Sequence, residues 1–126
     1  IEDLFQPYAI LPSGANLIIQ EAAALTAIDV NSGADKRGRL AINIDAGREI
    51  ARQIRLRNMG GILVVDFLKM KGAEEREKLL RALEDAFNED PCTVQIHGFT
   101  ALGLLEVTRN RHTPALIDRF QSAIGQ

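Results

Sequence analysis

Two acidic residues stand where the pattern around them asks for core. The stretch "ALTAIDVNSG", residues 24–33, carries Asp29 inside a strand-like apolar run and Asn31 two places on. The stretch "GGILVVDFLKM", residues 60–70, sets Asp66 among apolar neighbours. Side chains alternate along a strand, so Asp29 and Asn31 share a face. An ionised carboxylate within such a run is costly unless it is paired, hydrogen-bonded or bound to a metal. Two carboxylates from neighbouring strands suit Mg²⁺, which prefers oxygen ligands, keeps several waters and is often held by one or two carboxylates plus a substrate phosphate. That ion polarises a phosphodiester and lowers the pKa of a bound water. Asn31 would orient a carboxylate or a water by hydrogen bonding. The residues alone also allow a plainer reading, in which Asp29 and Asn31 open a turn and Asp66 is hydrogen-bonded at a strand end.

Basic groups that could receive a polyanion lie nearby in sequence. Lys36, Arg37 and Arg39 belong to the loop "SGADKRGR" that follows the Asp29 strand. Arg109 and Arg111 alternate on the last strand, so both are expected to face one way and to be available to RNA phosphates. Arg48, Arg52 and Arg55 recur along a helix and read as a solvated face. Aromatic content is 5% with no Trp, so no base-stacking platform is evident. The formal net charge of −2 requires any nucleic-acid binding to use a local patch or a partner domain. The single cysteine, Cys92, excludes an intrachain disulfide framework and a multi-Cys zinc site. His97 and His112 have no Ser or Cys at motif spacing and read as surface or satisfied histidines. There is no Walker loop and no G-x-G-x-x-G.

The elements that must position these groups follow from periodicity. Residues 1–20 read as extended, with a turn at Pro12-Ser13-Gly14, and residues 22–31 as the next strand. A helix is expected over 45–59 with Asp45 as N-cap, ended by Gly60-Gly61. Residues 62–68 form a near-continuous apolar run, the pattern of a strand buried on both faces. The clearest helix covers 73–89, with Glu74 and Glu75 in its first turn and Leu79, Leu80, Leu83, Ala86 and Phe87 as its apolar stripe. "TVQIHGF" and "LLEVTRNR" read as two strands, and the tail from Pro114 as a helix. The order βββ-α-β-α-ββ predicts an α/β (α+β) domain on a mixed sheet, one unit over residues 1–126. No apolar run approaches the roughly 20 residues of a bilayer span, and the opening residues do not read as a charged-then-apolar signal pattern. The chain opens "IEDLF" without Met, as expected of a piece of a longer protein.

"LTAIDVNSG", "EIARQIRLRNMGGILVVDFLKM" and "GFTALGLLEVTRNR" together resemble the ribonuclease E/ribonuclease G family, from "LPSG" at Leu11 to about Leu116. "LRNMGG" and "GFTALGLLE" lean to the ribonuclease G branch. The resemblance implies the catalytic subdomain, deoxyribonuclease I-like in fold. It implies an Mg²⁺-dependent endoribonuclease, with Mn²⁺ as a substitute, acting on single-stranded RNA in a bacterial cytoplasm. Asp29 and Asp66 would be the two metal-binding aspartates and Asn31 the asparagine that supports the first of them, and cleavage would leave a 5′-phosphate on the downstream product.

Three departures stand out. Where the family commonly reads I-D-F-I-D-M, this chain has "VDFLKM", with Lys69 in place of the second acid. The segment between Asn31 and Glu49 looks about six residues shorter than usual, in a region where loops vary. No C-P-x-C motif follows Leu116, so a homodimer is left open but a zinc link for it is not expected. The S1 RNA-gripping module and the 5′-end sensor of the family are not in this stretch. A non-catalytic RNA-processing scaffold or protein-interaction module that keeps the fold is therefore a second reading.

Overall fold

The computed structural model describes residues 6–111. The expected tail helix and His112 lie outside the described residues. The element order is β1 (Tyr8–Ile10), β2 (Asn16–Glu21), β3 (Leu25–Asn31), α1 (Arg39–Leu56), β4 (Gly61–Asp66), α2 (Ala73–Phe87), β5 (Thr93–Phe99) and β6 (Leu105–Asn110). The strands form one six-stranded mixed sheet in the order β1-β2-β3-β4-β6-β5, so the α+β expectation holds. Only β3 and β4 run parallel, joined by α1 as the crossover; every other pair among the described residues is antiparallel.

Period-two patterning decides the layers. Leu17, Ile19, Ile28, Val30, Leu63, Val65, Leu105 and Val107 point to one face and are buried there. Helices α1 and α2 cover that face. The α1 stripe Ile42, Ala46, Ile50 and Ile54 recurs at every fourth residue, and α2 adds Leu79, Leu83 and Phe87. The helices touch at Gly47: a Cβ there would sit 2.8 Å from Leu83 Cδ2, so a larger residue would force the Leu83 side chain to shift. No helix among the described residues is long and apolar enough to cross a membrane.

The structure corrects three local expectations. Helix α1 begins at Arg39, not Asp45, and its N-cap is Gly38. Asp45 lies inside the helix, where its carboxylate binds Arg37 instead of free amides. The helix ends at Leu56, and Asn58 rather than glycine takes the left-handed turn after it, with φ of 51°. Strand β4 is buried on one face only, because no layer covers the other face among the described residues: Ile62 is 47% exposed.

Candidate active site

The parallel pairing of β3 with β4 brings Asp29 opposite Asp66, the last residue of its strand. Neighbouring strands lie about 4.8 Å apart. In a parallel pair, residues in register present their side chains at the same level on the same face. Both aspartates are exposed, on the face away from the helices. The expectation of core carboxylates is therefore corrected: Ile28 and Val30, and Val65 and Phe67, turn inward, so alternation turns the acids outward. Neither carboxylate has a hydrogen bond or ion pair to the described residues. Two anions are thus held side by side with no internal cation between them. Among the described residues no group of three or more His, Cys, Asp or Glu is gathered to hold a metal. A hard divalent cation would take two carboxylates here and fill its remaining positions with water or phosphate oxygens, which is the coordination Mg²⁺ accepts.

The surroundings fix this pair from both sides. Asn31 lies on the aspartates' face and donates to Asn16 Oδ1 on β2 at 3.3 Å, across an in-register pair. The loop after β3 packs under the β1–β2 turn at Gly33, where φ is 53° and a Cβ would fall 2.2 Å from Gly14 O. Asn43 on α1 is fully buried. Its side-chain amide donates to Leu68 O at 2.8 Å, and its Oδ1 accepts from Leu68 N at 2.9 Å. These two hydrogen bonds fix the chain two residues beyond Asp66 to the crossover helix. Asn43→Ala would strand both Leu68 backbone groups; unsatisfied buried groups cost about 1–3 kcal/mol each. Urea unfolding is expected to show a loss of about 2–4 kcal/mol, and an unchanged midpoint would refute this role.

The basic candidates divide sharply. Arg109 is corrected: it is 3% exposed and donates to both Asp90 oxygens, at 2.9 and 3.0 Å. It also donates to Met59 O at 2.8 Å and to Asn58 Oδ1 at 3.2 Å. It shares its face with Leu105 and Val107, so alternation turns it toward the core and not toward solvent. Arg111 is exposed and donates to Asn58 O at 3.2 Å. Arg37 is held by Asp35 at 2.7 Å and by Asp45. That guanidinium lowers the buried Asp35 carboxyl to about 2, and the same contacts raise the Arg37 pKa. Arg39 is exposed and donates to Lys69 O at 3.3 Å, while Lys36 is exposed. His97 Nε2 pairs with Thr108 Oγ1 at 2.8 Å.

Comparison with known proteins identifies the frame. A model of the Ribonuclease E/G family matches residues 1–112. The chain belongs to the ribonuclease E/G family. It is 43% identical over 107 residues to Ribonuclease G of Escherichia coli strain K12, covering 80% of this chain and 22% of that protein. It is 40% identical over 122 residues to Ribonuclease E of Haemophilus influenzae, covering 92% of this chain and 13% of that protein. Against Ribonuclease E of Escherichia coli strain K12 the identity is 39% over 122 residues, 92% of this chain and 12% of that protein. The chain thus spans about a fifth or less of the length of these ribonucleases.

Within this ribonuclease E/G frame, residues that sequence reasoning passed over come into view. Asn16, Asn43 and Asp90 had no motif to mark them; their roles depend on partners far along the chain. Lys69 and Lys71 meet Arg37 and Arg39 around a cavity of about 430 Å³ at the start of α1. Lys69 was already marked in the sequence by its place in "VDFLKM", whereas nothing there marked Lys71.

Proposed function

We propose that this chain is the metal-binding catalytic part of an endoribonuclease that cuts single-stranded RNA. The observation that carries the reading is the in-register Asp29–Asp66 pair, exposed and without an internal cation. Membership of the ribonuclease E/G family supports it. Asp29 and Asp66 would hold Mg²⁺, or Mn²⁺ in its place, and Asn31 would steady the β3 side of the site. When bound, the ion would polarise the scissile phosphodiester and lower the pKa of the attacking water. Water adds to phosphorus, the bond to the 3′ oxygen breaks and that oxygen takes a proton. The upstream product then ends in a 3′-hydroxyl and the downstream product begins with a 5′-phosphate. With a formal net charge of −2, most of the grip on RNA would come from elsewhere in the full-length protein, where an S1-type module is expected.

The test is cleavage of a 5′-monophosphorylated single-stranded RNA by the full-length protein. Cutting that requires Mg²⁺, stops with chelator and yields 5′-phosphorylated downstream products is the expected result. The scaffold reading draws on Lys69, a cation three residues past Asp66 where the resemblance leads one to expect an acid. Full-length protein that binds this RNA without cutting it at any Mg²⁺ concentration would favour the scaffold.

A further inference from the structure

The cavity at the start of α1 lies at the same edge of the sheet as the aspartate pair. It is lined by Arg37, Arg39, Lys69, Lys71 and Glu75, with the first turn of α1 forming a wall. Both parallel strands run toward this edge: Arg37 and Arg39 lie beyond the end of β3, and Lys69 and Lys71 beyond the end of β4. Lys69 follows Asp66 by three residues, so their Cα atoms are at most about 11 Å apart.

The charges in this cavity are unequally neutralised. Arg37 is taken up by Asp35 and Asp45. The Lys69 and Lys71 ammonium groups have no ion pair among the described residues. Arg39 spends one N–H group on Lys69 O, which ties the two sides of the cavity together and leaves its other donors available. Glu75 accepts from the Lys71 backbone N–H at 3.1 Å and is the one acid in the lining. Three cations therefore face one carboxylate. The adjoining helix of 18 residues has neither a capping side chain nor an acid in its first turn, so its dipole adds to the positive potential.

We infer that this cavity seats a backbone phosphate of the RNA strand, one neighbouring the phosphate held at Asp29 and Asp66. Lys69, Lys71 and Arg39 would contact it. This rests on the reading of the chain as an RNA-cleaving domain, but not on the metal. Lys69 then has a reason to be basic: an acid in its place would repel the strand as it leaves the aspartates.

Metal-free binding of an uncleavable probe tests the inference. Full-length protein is titrated, in chelator, against a fluorescent 2′-O-methyl single-stranded oligonucleotide with a 5′-hydroxyl, and anisotropy is followed over a range of salt. The Lys69→Gln/Lys71→Gln double variant is expected to lose roughly three- to tenfold in affinity. The slope of log affinity against log salt should fall by about 0.7 for each phosphate that the variant no longer neutralises. Lys78→Gln, on the exposed side of α2, should bind as the parent does. Unchanged affinity and slope in the double variant would overturn the inference. So would a loss seen only with a 5′-phosphorylated probe, which would make the cavity a terminal-phosphate seat, or equal competition by polyglutamate, which would make it a peptide site. Failure of the metal reading would show separately, as Asp29→Asn protein that keeps its Mn²⁺ affinity; the metal-free probe is blind to that outcome.

Discussion

Asp29→Asn is expected to reduce Mn²⁺ or Mg²⁺ affinity by at least about 30-fold and to abolish metal-dependent RNA cleavage. The argument is electrostatic. Two unit charges about 4 Å apart interact by roughly 1 kcal/mol in bulk water and about 4 kcal/mol at an effective dielectric constant of 20. A divalent ion doubles these values, so losing one carboxylate charge costs about 2–8 kcal/mol, and about 2 kcal/mol already corresponds to some 30-fold. Asparagine keeps the shape and one oxygen, so the strand pairing of Asp29 with Asp66 should survive. Asp66→Asn should behave alike, because the parallel register makes the two positions equivalent neighbours. Isothermal titration with Mn²⁺ measures the affinity, and a gel assay on single-stranded RNA measures cleavage. Equal Mn²⁺ binding by the parent and by both variants would remove the site. The folded state should if anything gain stability in either variant, since one of two adjacent like charges is gone. That opposite sign separates a ligand role from a structural one.

Arg109→Ala is expected to cost about 3–5 kcal/mol of stability, the usual penalty for breaking a buried ion pair from one side. The side chains of Arg109 and Asp90 are 3% and 0% exposed, so Asp90 would be left with an uncompensated buried charge. The Met59 carbonyl would lose a donor as well. Domains are commonly stable by only about 5–15 kcal/mol, so this one change would bring the fold close to its threshold. Arg109→Lys should recover part of the loss, since an ammonium keeps the charge but not the planar fork that spans both Asp90 oxygens. Arg111→Gln, at an exposed side chain, should stay within about 0.5 kcal/mol of the parent. Denaturant unfolding distinguishes these outcomes. An Arg109→Ala protein of parental stability but weakened RNA binding would restore the RNA-binding role that burial argues against.

Alternation along "LTAIDVN" and "ILVVDF" already determined that Asp29 and Asn31 share a face and that Phe67 opposes Asp66. The period of α2 determined its buried stripe, and the order of elements determined a mixed sheet. The same rule, applied to "LEVTRN", would have placed Arg109 with Leu105 and Val107. Arg111 falls on the same face but past the end of β6, where it is exposed, so it was a poor guide to the burial of Arg109. Periodicity assigns faces but not which face is covered, because that depends on where α1 and α2 pack. It also cannot set register: sliding β4 by two residues along β3 would keep every side chain on its face and still part Asp29 from Asp66. That register is accompanied by contacts distant in sequence, such as Asn43 on the Leu68 backbone, which ties the chain just past β4 to the crossover helix. Only the tertiary structure, by pairing β3 with β4 in that register, turned two separate acids into neighbours and gathered Lys69, Lys71 and Arg39 around one cavity.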